Sequence, residues 1–378
     1  MSIFFNRIYV KIFGVLHLHT EKPIRGDVLL SYIPYAFLRP ENSQESHTNY
    51  WECREMARIF LDLGYNVDVI DWKNDSFLPK KKYSYFIDIH SNMERLSPFL
   101  PKDCIKIFHA TGAHWLFQNH AEYSRLLQLQ KRRHATLMPR RVMPPSLAME
   151  NADVVVMLGN EFTEKTYNYS GKKIHHIPLS ATHTFPFSEE KNIESAKKNF
   201  VWFGGAGMVH KGLDLVLEAF AEMPEYQLSV CGPIRSEKDF EKEYWKELYE
   251  TKNITAFGKI DAGGDVFRKI AESSVALIYP SCSEGGGGSV IHCMHAGLIP
   301  IISFESSVNV GQFGILLKEN TVEEIQRTVR LIAVETSEKI KVHSKQAWEY
   351  ARANHSREEF SKEYLLFVQK LESEKNNA

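Results

Sequence analysis

Residues 277–303 read LIYPSCSEGGGGSVIHCMHAGLIPIIS, which sets one acid, Glu284, directly before Gly285, Gly286, Gly287 and Gly288, with Ser289 next. Glycines without a Cβ let backbone N–H groups approach a ligand, and a helix N-terminus beside them favours an anion. That composition suits a phosphate group, although a Gly run on its own is equally a flexible turn. A second candidate place is FGGAGMVHKG at residues 203–212, where Gly204 and Gly205 precede Lys211 at a helix start. A lysine there can meet the negative charge that grows on a phosphate oxygen as a bond to it breaks. Taken singly, Lys211 is what many surface helix starts carry. His109 stands near the end of the apolar strand run IKIFHA, and His292 falls within the segment that follows the glycines.

The elements that must position these residues alternate. Strands are expected at 26–37, 66–71, 85–90, 105–110, 154–158 and 174–179, with a helix capped by Thr48 or Asn49 running to Leu63. After a polar linker at 180–199, strands at 200–203, 228–231, 254–257, 275–279 and 299–303 alternate with helices at 213–221, 237–249, 266–272 and 322–333. A charged helical tail follows from 337. This is the pattern of an α/β protein with two Rossmann-like, doubly wound domains facing across a cleft. The expected division is 1–185, 186–350, and a helical tail at 351–378 packing back on the first domain.

Length and charge narrow the classes. At 378 residues two domains are the natural expectation, and a net charge of −1 gives no global attraction to nucleic acid. Five cysteines with no C-x-x-C spacing argue against a disulfide framework or a structural zinc site and fit a reducing cytoplasm. No apolar stretch is long enough to span a membrane. The N-terminal run, with Arg7 and Lys11 among aromatics, reads as a packed segment or a frayed end more readily than as a surface-lying helix. The dense basic stretch at 131–141 reads as a solvated face or as a contact with anionic lipid at the inner face of the membrane.

Four segments in order, at 203–220, 228–232, 254–260 and 278–302, resemble the retaining glycosyltransferases of family 4, which have the GT-B fold. The resemblance implies a nucleotide-sugar donor held by the second domain and a glycan or lipid-linked acceptor at the first, as in cell-surface polysaccharide or glycolipid synthesis. It makes Lys211 the phosphate-binding lysine and places Glu284, Ile260, Gly204, Gly205, Gly285–Gly288 and Ser289 around the donor. His109 would lie near the donor sugar as a catalytic group, with His114 the neighbouring candidate; Thr111, His114, Asn49 and Glu52 would face the acceptor. Two positions depart from the family. Ala206 stands where a second cation is usual, leaving His210 or Arg235 as substitutes, and His292 stands where an acid usually meets the ribose hydroxyls. No Asp-x-Asp or H-E-x-x-H spacing occurs, so no metal and no cofactor is expected.

Those two departures also fit a different class, a degenerate protein that binds nucleotide or glycan without turnover. A dinucleotide oxidoreductase is disfavoured, because residues 204–212 break the G-x-G-x-x-G spacing and no acid ends the next strand, LSVC.

Overall fold

The computed structural model describes residues 14–38 and 47–376. The expectations for the extreme N-terminus and for most of the loop at 38–46 lie outside the described residues. The first sheet has seven strands: β1 (Val15–Leu18), β2 (Gly26–Tyr32), β3 (Tyr65–Asp71), β4 (Tyr85–Asp88), β5 (Ile105–Ala110), β6 (Val154–Met157) and β7 (Ile174–His176), in the order β1-β3-β2-β4-β5-β6-β7. Only β1 runs antiparallel, against β3. The second sheet has six strands: β8 (Asn199–Phe203), β9 (Gln227–Cys231), β10 (Ile254–Gly258), β11 (Ala276–Tyr279), β12 (Ile299–Ser303) and β13 (Ile315–Leu317), in the parallel order β10-β9-β8-β11-β12-β13. Central strands such as β4, β11 and β12 are buried at every position. Parallel strands covered on both faces read as continuous apolar runs, which is why the sequence showed them.

The helix α1 (Thr48–Asp62) buries Glu52, Cys53, Met56, Ile59 and Phe60 on one face. Its cap is His47, whose ring accepts from the Asn49 N–H, and not Thr48 or Asn49. The strand expected at 26–37 stops at Tyr32, because Pro34 cannot donate to a ladder, and residues Pro34–Leu38 coil into a 3-10 turn. The helix expected at 237–249 is two short pieces, Lys238–Glu243 and Trp245–Tyr249, with Tyr244 between them off helical geometry. The short edge strand β13 gave no sequence signal.

The largest omission is α2 (Trp115–Arg133), nineteen residues long. Its buried positions are Gln118, Glu122, Arg125 and Leu129, spaced as one helix face but mostly polar. Apolar periodicity cannot reveal a helix whose inner face bonds to charged partners. Glu122 and Arg125 reach His210 and the Pro280 carbonyl in the second half, Gln118 bonds the Arg141 carbonyl, and Leu129 and Leu137 join the core around Trp202 and Phe220.

Three further helices complete the site and its support: α3 (Leu213–Ala221), α4 (Gly288–His295) and α5 (Ser337–Asn354). The last helix, α6 (Arg357–Asn376), returns to the first sheet, where Phe360, Tyr364 and Val368 share a core with Cys53, Met56 and Phe60. Glu372 locks it there: its carboxylate accepts from Tyr65 Oη at 2.7 Å and also from Tyr85 Oη and Arg25. Glu372→Ala leaves two tyrosine hydroxyls and Arg25 without that acceptor. A loss of about 1–3 kcal/mol in urea denaturation is expected, with faster amide exchange across 357–376.

Candidate active site

In an open parallel sheet, ligands bind beyond the carboxyl ends of the strands, where the strand order reverses. In the second sheet that point lies between β8 and β11. The two turns leaving these strands are residues 204–212 and 280–287, the stretches singled out by their chemistry.

The first turn is held from beneath. Glu237, 4% exposed, accepts from the N–H groups of Gly207 and Met208. Trp202 Nε1 donates to the Lys211 carbonyl at 3.2 Å. Gly212 adopts φ +71° beside Pro280, and a Cβ there would sit 2.5 Å from the Pro280 carbonyl oxygen. A glycine is therefore required for the two turns to touch.

This contact delivers Lys211 to Glu284. The Lys211 ammonium donates to the Glu284 carboxylate and to Tyr279 Oη at 2.7 Å. Tyr279 Oη donates to Glu284 Oε1 at 2.8 Å, and Ser281 Oγ donates to the same oxygen at 3.0 Å. Burial alone would raise the Glu284 pKa, but the charges of Lys211, His210 and Arg141 hold it down at about 2, so the carboxylate is ionised at neutral pH. Burial depresses the Lys211 pKa while Glu284 opposes that shift. Tyr279 is pushed well above its ordinary value by burial and by the adjacent Glu284, and stays a neutral donor.

The glycines then let the two halves meet. A Cβ on Gly285 would collide with the Thr111 carbonyl oxygen and the Gly112 backbone. Beside this contact is a cavity of about 140 Å³ lined by His90, Thr111, His114, Gln118, Arg141 and Glu284, among others. It brings the ends of β4 and β5 from the first sheet against the Glu284 loop of the second.

Behind the loop lies a buried ion pair. His210 Nδ1 is 2.6 Å from Glu122 Oε2, and Nε2 is 2.6 Å from the Ser283 carbonyl oxygen. Both partners are acceptors, so both ring nitrogens donate and the imidazole is protonated. Burial works against that charge, but hydrogen bonds with Cys282 and Glu122 raise the His210 pKa to about 9. Glu122 Oε2, His210 Nδ1 and Cys282 Sγ gather within 4.8 Å, a donor set with metal-ligand character; here both His210 nitrogens are occupied by oxygen acceptors. Glu122 Oε1 accepts from the Arg140 N–H at 2.8 Å, so α2, the first Gly turn and the 140–141 strand of loop form one unit.

Residues 185–349 match the model of the family described as Glycosyl transferases group 1. They form a glycosyl transferases group 1 domain. An uncharacterized glycosyltransferase of Methanocaldococcus jannaschii is 26% identical over 244 residues, a match that covers 60% of this chain and 60% of that relative. Among solved structures, sucrose-phosphate synthase from Thermosynechococcus elongatus superposes with TM-score 0.63 at 14% identity, over 92% of this chain and 100% of that one. HepE of Anabaena, solved in complex with UDP-glucose, gives TM-score 0.60 at 10% identity over 91% and 99%. Two doubly wound sheets facing across a cleft, in this order, are the GT-B fold.

Within the glycosyltransferase domain, Gly204 packs on the Trp202 indole and Gly205 faces open space. Ser289 lies in the first turn of α4, and Ile260, half-buried, packs against a core cluster that draws residues from both halves. His292 is only 3% exposed. Its ring stacks on Phe203 at 5.2 Å and packs against Phe185 and Phe267, and Nε2 donates to the Ala262 carbonyl at 3.1 Å. Burial holds its pKa down at about 3, so it is a neutral ring anchoring the 259–264 loop. His292→Phe keeps the ring packing and removes this bond. The expected cost is about 1 kcal/mol in chemical denaturation.

His109 does not open on the cleft. It is fully buried between Tyr32 and Tyr364, with centroids at 6.0 and 6.2 Å, and burial lowers its pKa to about 4. One residue before the strand end, its side chain falls in the layer between sheet and helices. His90, beyond the end of β4, lines the cavity instead; the run YFIDIH carried that signal. Glu52 is likewise turned inward, accepting from Ser180 N–H at 2.9 Å and Ser180 Oγ at 2.8 Å, and burial raises its pKa to about 7. Asn49 sits in the first turn of α1, half-buried. Thr111 and His114 do line the cavity, and His114 also caps α2 by accepting from the Leu116 N–H.

The Arg235 side chain is 83% exposed and lies 3.9 Å from the Glu241 carboxylate. Three arginines of the basic stretch pair with carboxylates of the second half. Arg132 pairs with Asp214 at 2.6 Å and Glu218 at 3.0 Å, Arg133 with Glu247 at 2.7 Å and Glu243 at 3.0 Å, and Arg140 with Asp239. These arginines clamp α2 to the second half, so much of their charge is already matched by protein carboxylates. No described helix is long and apolar enough to cross a membrane.

Proposed function

We propose that the protein is a retaining glycosyltransferase that moves a sugar from a nucleotide-sugar donor to a glycan or lipid-linked acceptor, in cell-surface polysaccharide or glycolipid synthesis on the cytoplasmic side. The observation that carries this reading is the Lys211–Tyr279–Glu284 cluster between two glycine turns at the switch point of the second sheet. The UDP-glucose bound to HepE supports the donor class.

The leaving group of such a donor is a nucleoside diphosphate, on which negative charge develops as the glycosidic bond breaks. Lys211 and the N–H groups at the start of α4 offer fixed positive potential for it, in a largely enclosed site and without a metal ion. Glu284, ionised and held by three donors, suits the sugar hydroxyls. The cavity against Thr111 and His114 suits the acceptor, whose hydroxyl would attack from the leaving-group face. Its proton would pass to the departing phosphate oxygen, which gives retention without a carboxylate pair.

A panel of nucleotide-sugars, followed by NMR for donor hydrolysis and for the anomeric configuration of the product, tests this. Transfer with retention is the expected result. Tight nucleotide binding with no turnover on any donor would make the protein a binding module, and an inverted product would remove the proposed mechanism.

A further inference from the structure

Four arginines mark the segment that joins α2 to the second half: Arg132, Arg133, Arg140 and Arg141. The first three are paired with carboxylates. Among the described residues the Arg141 guanidinium has no such partner, and its side chain is exposed. Yet its backbone is firmly held. Its N–H donates to Glu122 Oε1 at 3.3 Å and its carbonyl accepts from Gln118 Nε2. Its stem lies across the first glycine turn: a Cβ on Gly207 would stand 2.7 Å from Arg141 Cγ. Arg141 also lines the cavity together with Glu284, Gly285 and Thr111.

The charge count beside it is short. Lys211 shares its ammonium with Glu284, so that pair brings no net positive charge. Residues 204–210 contain no Lys or Arg, and His210 is 1% exposed and faces away into Glu122. A diphosphate brings at least two negative charges. A guanidinium presents a planar fork that meets two phosphate oxygens at once, in a way an ammonium does not.

We propose that Arg141 is the second cation of the diphosphate site, contributed by the first half of the chain to a ligand held by the second. This rests on the nucleotide-sugar reading above. It also gives Glu122 a function: through its bonds to His210 and to the N–H groups of Arg140 and Arg141 it fixes the arginine over the turn. The diphosphate would then bridge the two halves, so its binding and the apposition of the halves are linked.

The test is calorimetric titration of UDP, GDP and ADP, and of the nucleoside matching whichever binds, into wild type, Arg141→Ala, Arg141→Lys, Arg140→Ala and Lys211→Ala. Arg141→Ala should weaken the diphosphate about 10- to 100-fold, the range for losing a charged hydrogen-bond partner, and leave the nucleoside unchanged. Arg141→Lys should recover part of the loss, and Arg140→Ala should bind as wild type. The salt dependence of binding should also flatten in Arg141→Ala. Wild-type affinity in Arg141→Ala together with a loss in Lys211→Ala would overturn this role and leave the donor reading standing. No diphosphate binding to wild type would overturn both.

Discussion

Lys211→Ala is expected to lower the turnover number for sugar transfer, or for donor hydrolysis, by about 10²- to 10³-fold, the usual consequence of removing one preorganised group that meets transition-state charge. The lysine is 7% exposed and fixed by Tyr279 and Glu284, so it needs no reorganisation when the leaving group becomes anionic. The effect should fall on kcat more than on KM, because the charge it meets is greatest when the glycosidic bond is broken. Lys211→Ala also strands the Glu284 carboxylate, so the variant's circular dichroism and melting must accompany the assay. Lys211→Gln, which keeps a donor near Glu284, separates folding from chemistry: it should melt near wild type and still turn over slowly. Wild-type turnover in either variant would move Lys211 away from the leaving group.

The second large effect is on stability. Glu122→Ala breaks the buried pair with His210 and frees two backbone N–H groups, and an expected cost is about 3–5 kcal/mol in urea denaturation. The pH dependence has a definite sign. The His210 pKa is raised from 6.5 to about 9 in the folded protein, so the native state keeps a proton that the unfolded chain loses above 6.5. The stability this pair contributes is complete below pH 6.5, declines between 6.5 and 9, and is absent above that. The difference between wild type and Glu122→Ala should therefore shrink as pH rises through this window. A difference that stays constant from pH 6 to 9.5 would mean that His210 is not charged in the fold.

Much of the second sheet and of its two glycine turns was legible from the residues alone. The runs around β8, β11 and β12 are apolar on both faces and so announce buried parallel strands. Gly212 and Gly285 stand where backbones touch, which no other residue type allows. Lys211 and Glu284 lie 73 positions apart yet meet, because each follows a strand flanking the same switch point. Strand order predicts such a meeting once the two strands are recognised.

What lay beyond the sequence involves side chains whose role depends on a partner distant in the chain. His109 is expected beside the donor sugar and Glu52 facing the acceptor, and only the position of α1 and α6 over the first sheet turns both inward. The family resemblance sets His292 where an acid usually meets the ribose, but Phe185, Phe203 and Phe267 enclose it. The helix α2 carries no apolar period because its buried face is Gln118, Glu122 and Arg125, whose partners are Arg141, His210 and Pro280. The basic stretch shows the same limit most plainly. In sequence its arginines are equivalent, and a lipid surface or open water would serve all of them. The fold gives Arg132, Arg133 and Arg140 their carboxylates and leaves Arg141 over the glycine turn. Composition and period determined the two-sheet architecture and the two glycine turns, since those follow from local backbone needs, and the family resemblance singled out their lysine and acid. The allocation of charge was decided by tertiary structure, because an ion pair exists only where both partners are brought within reach.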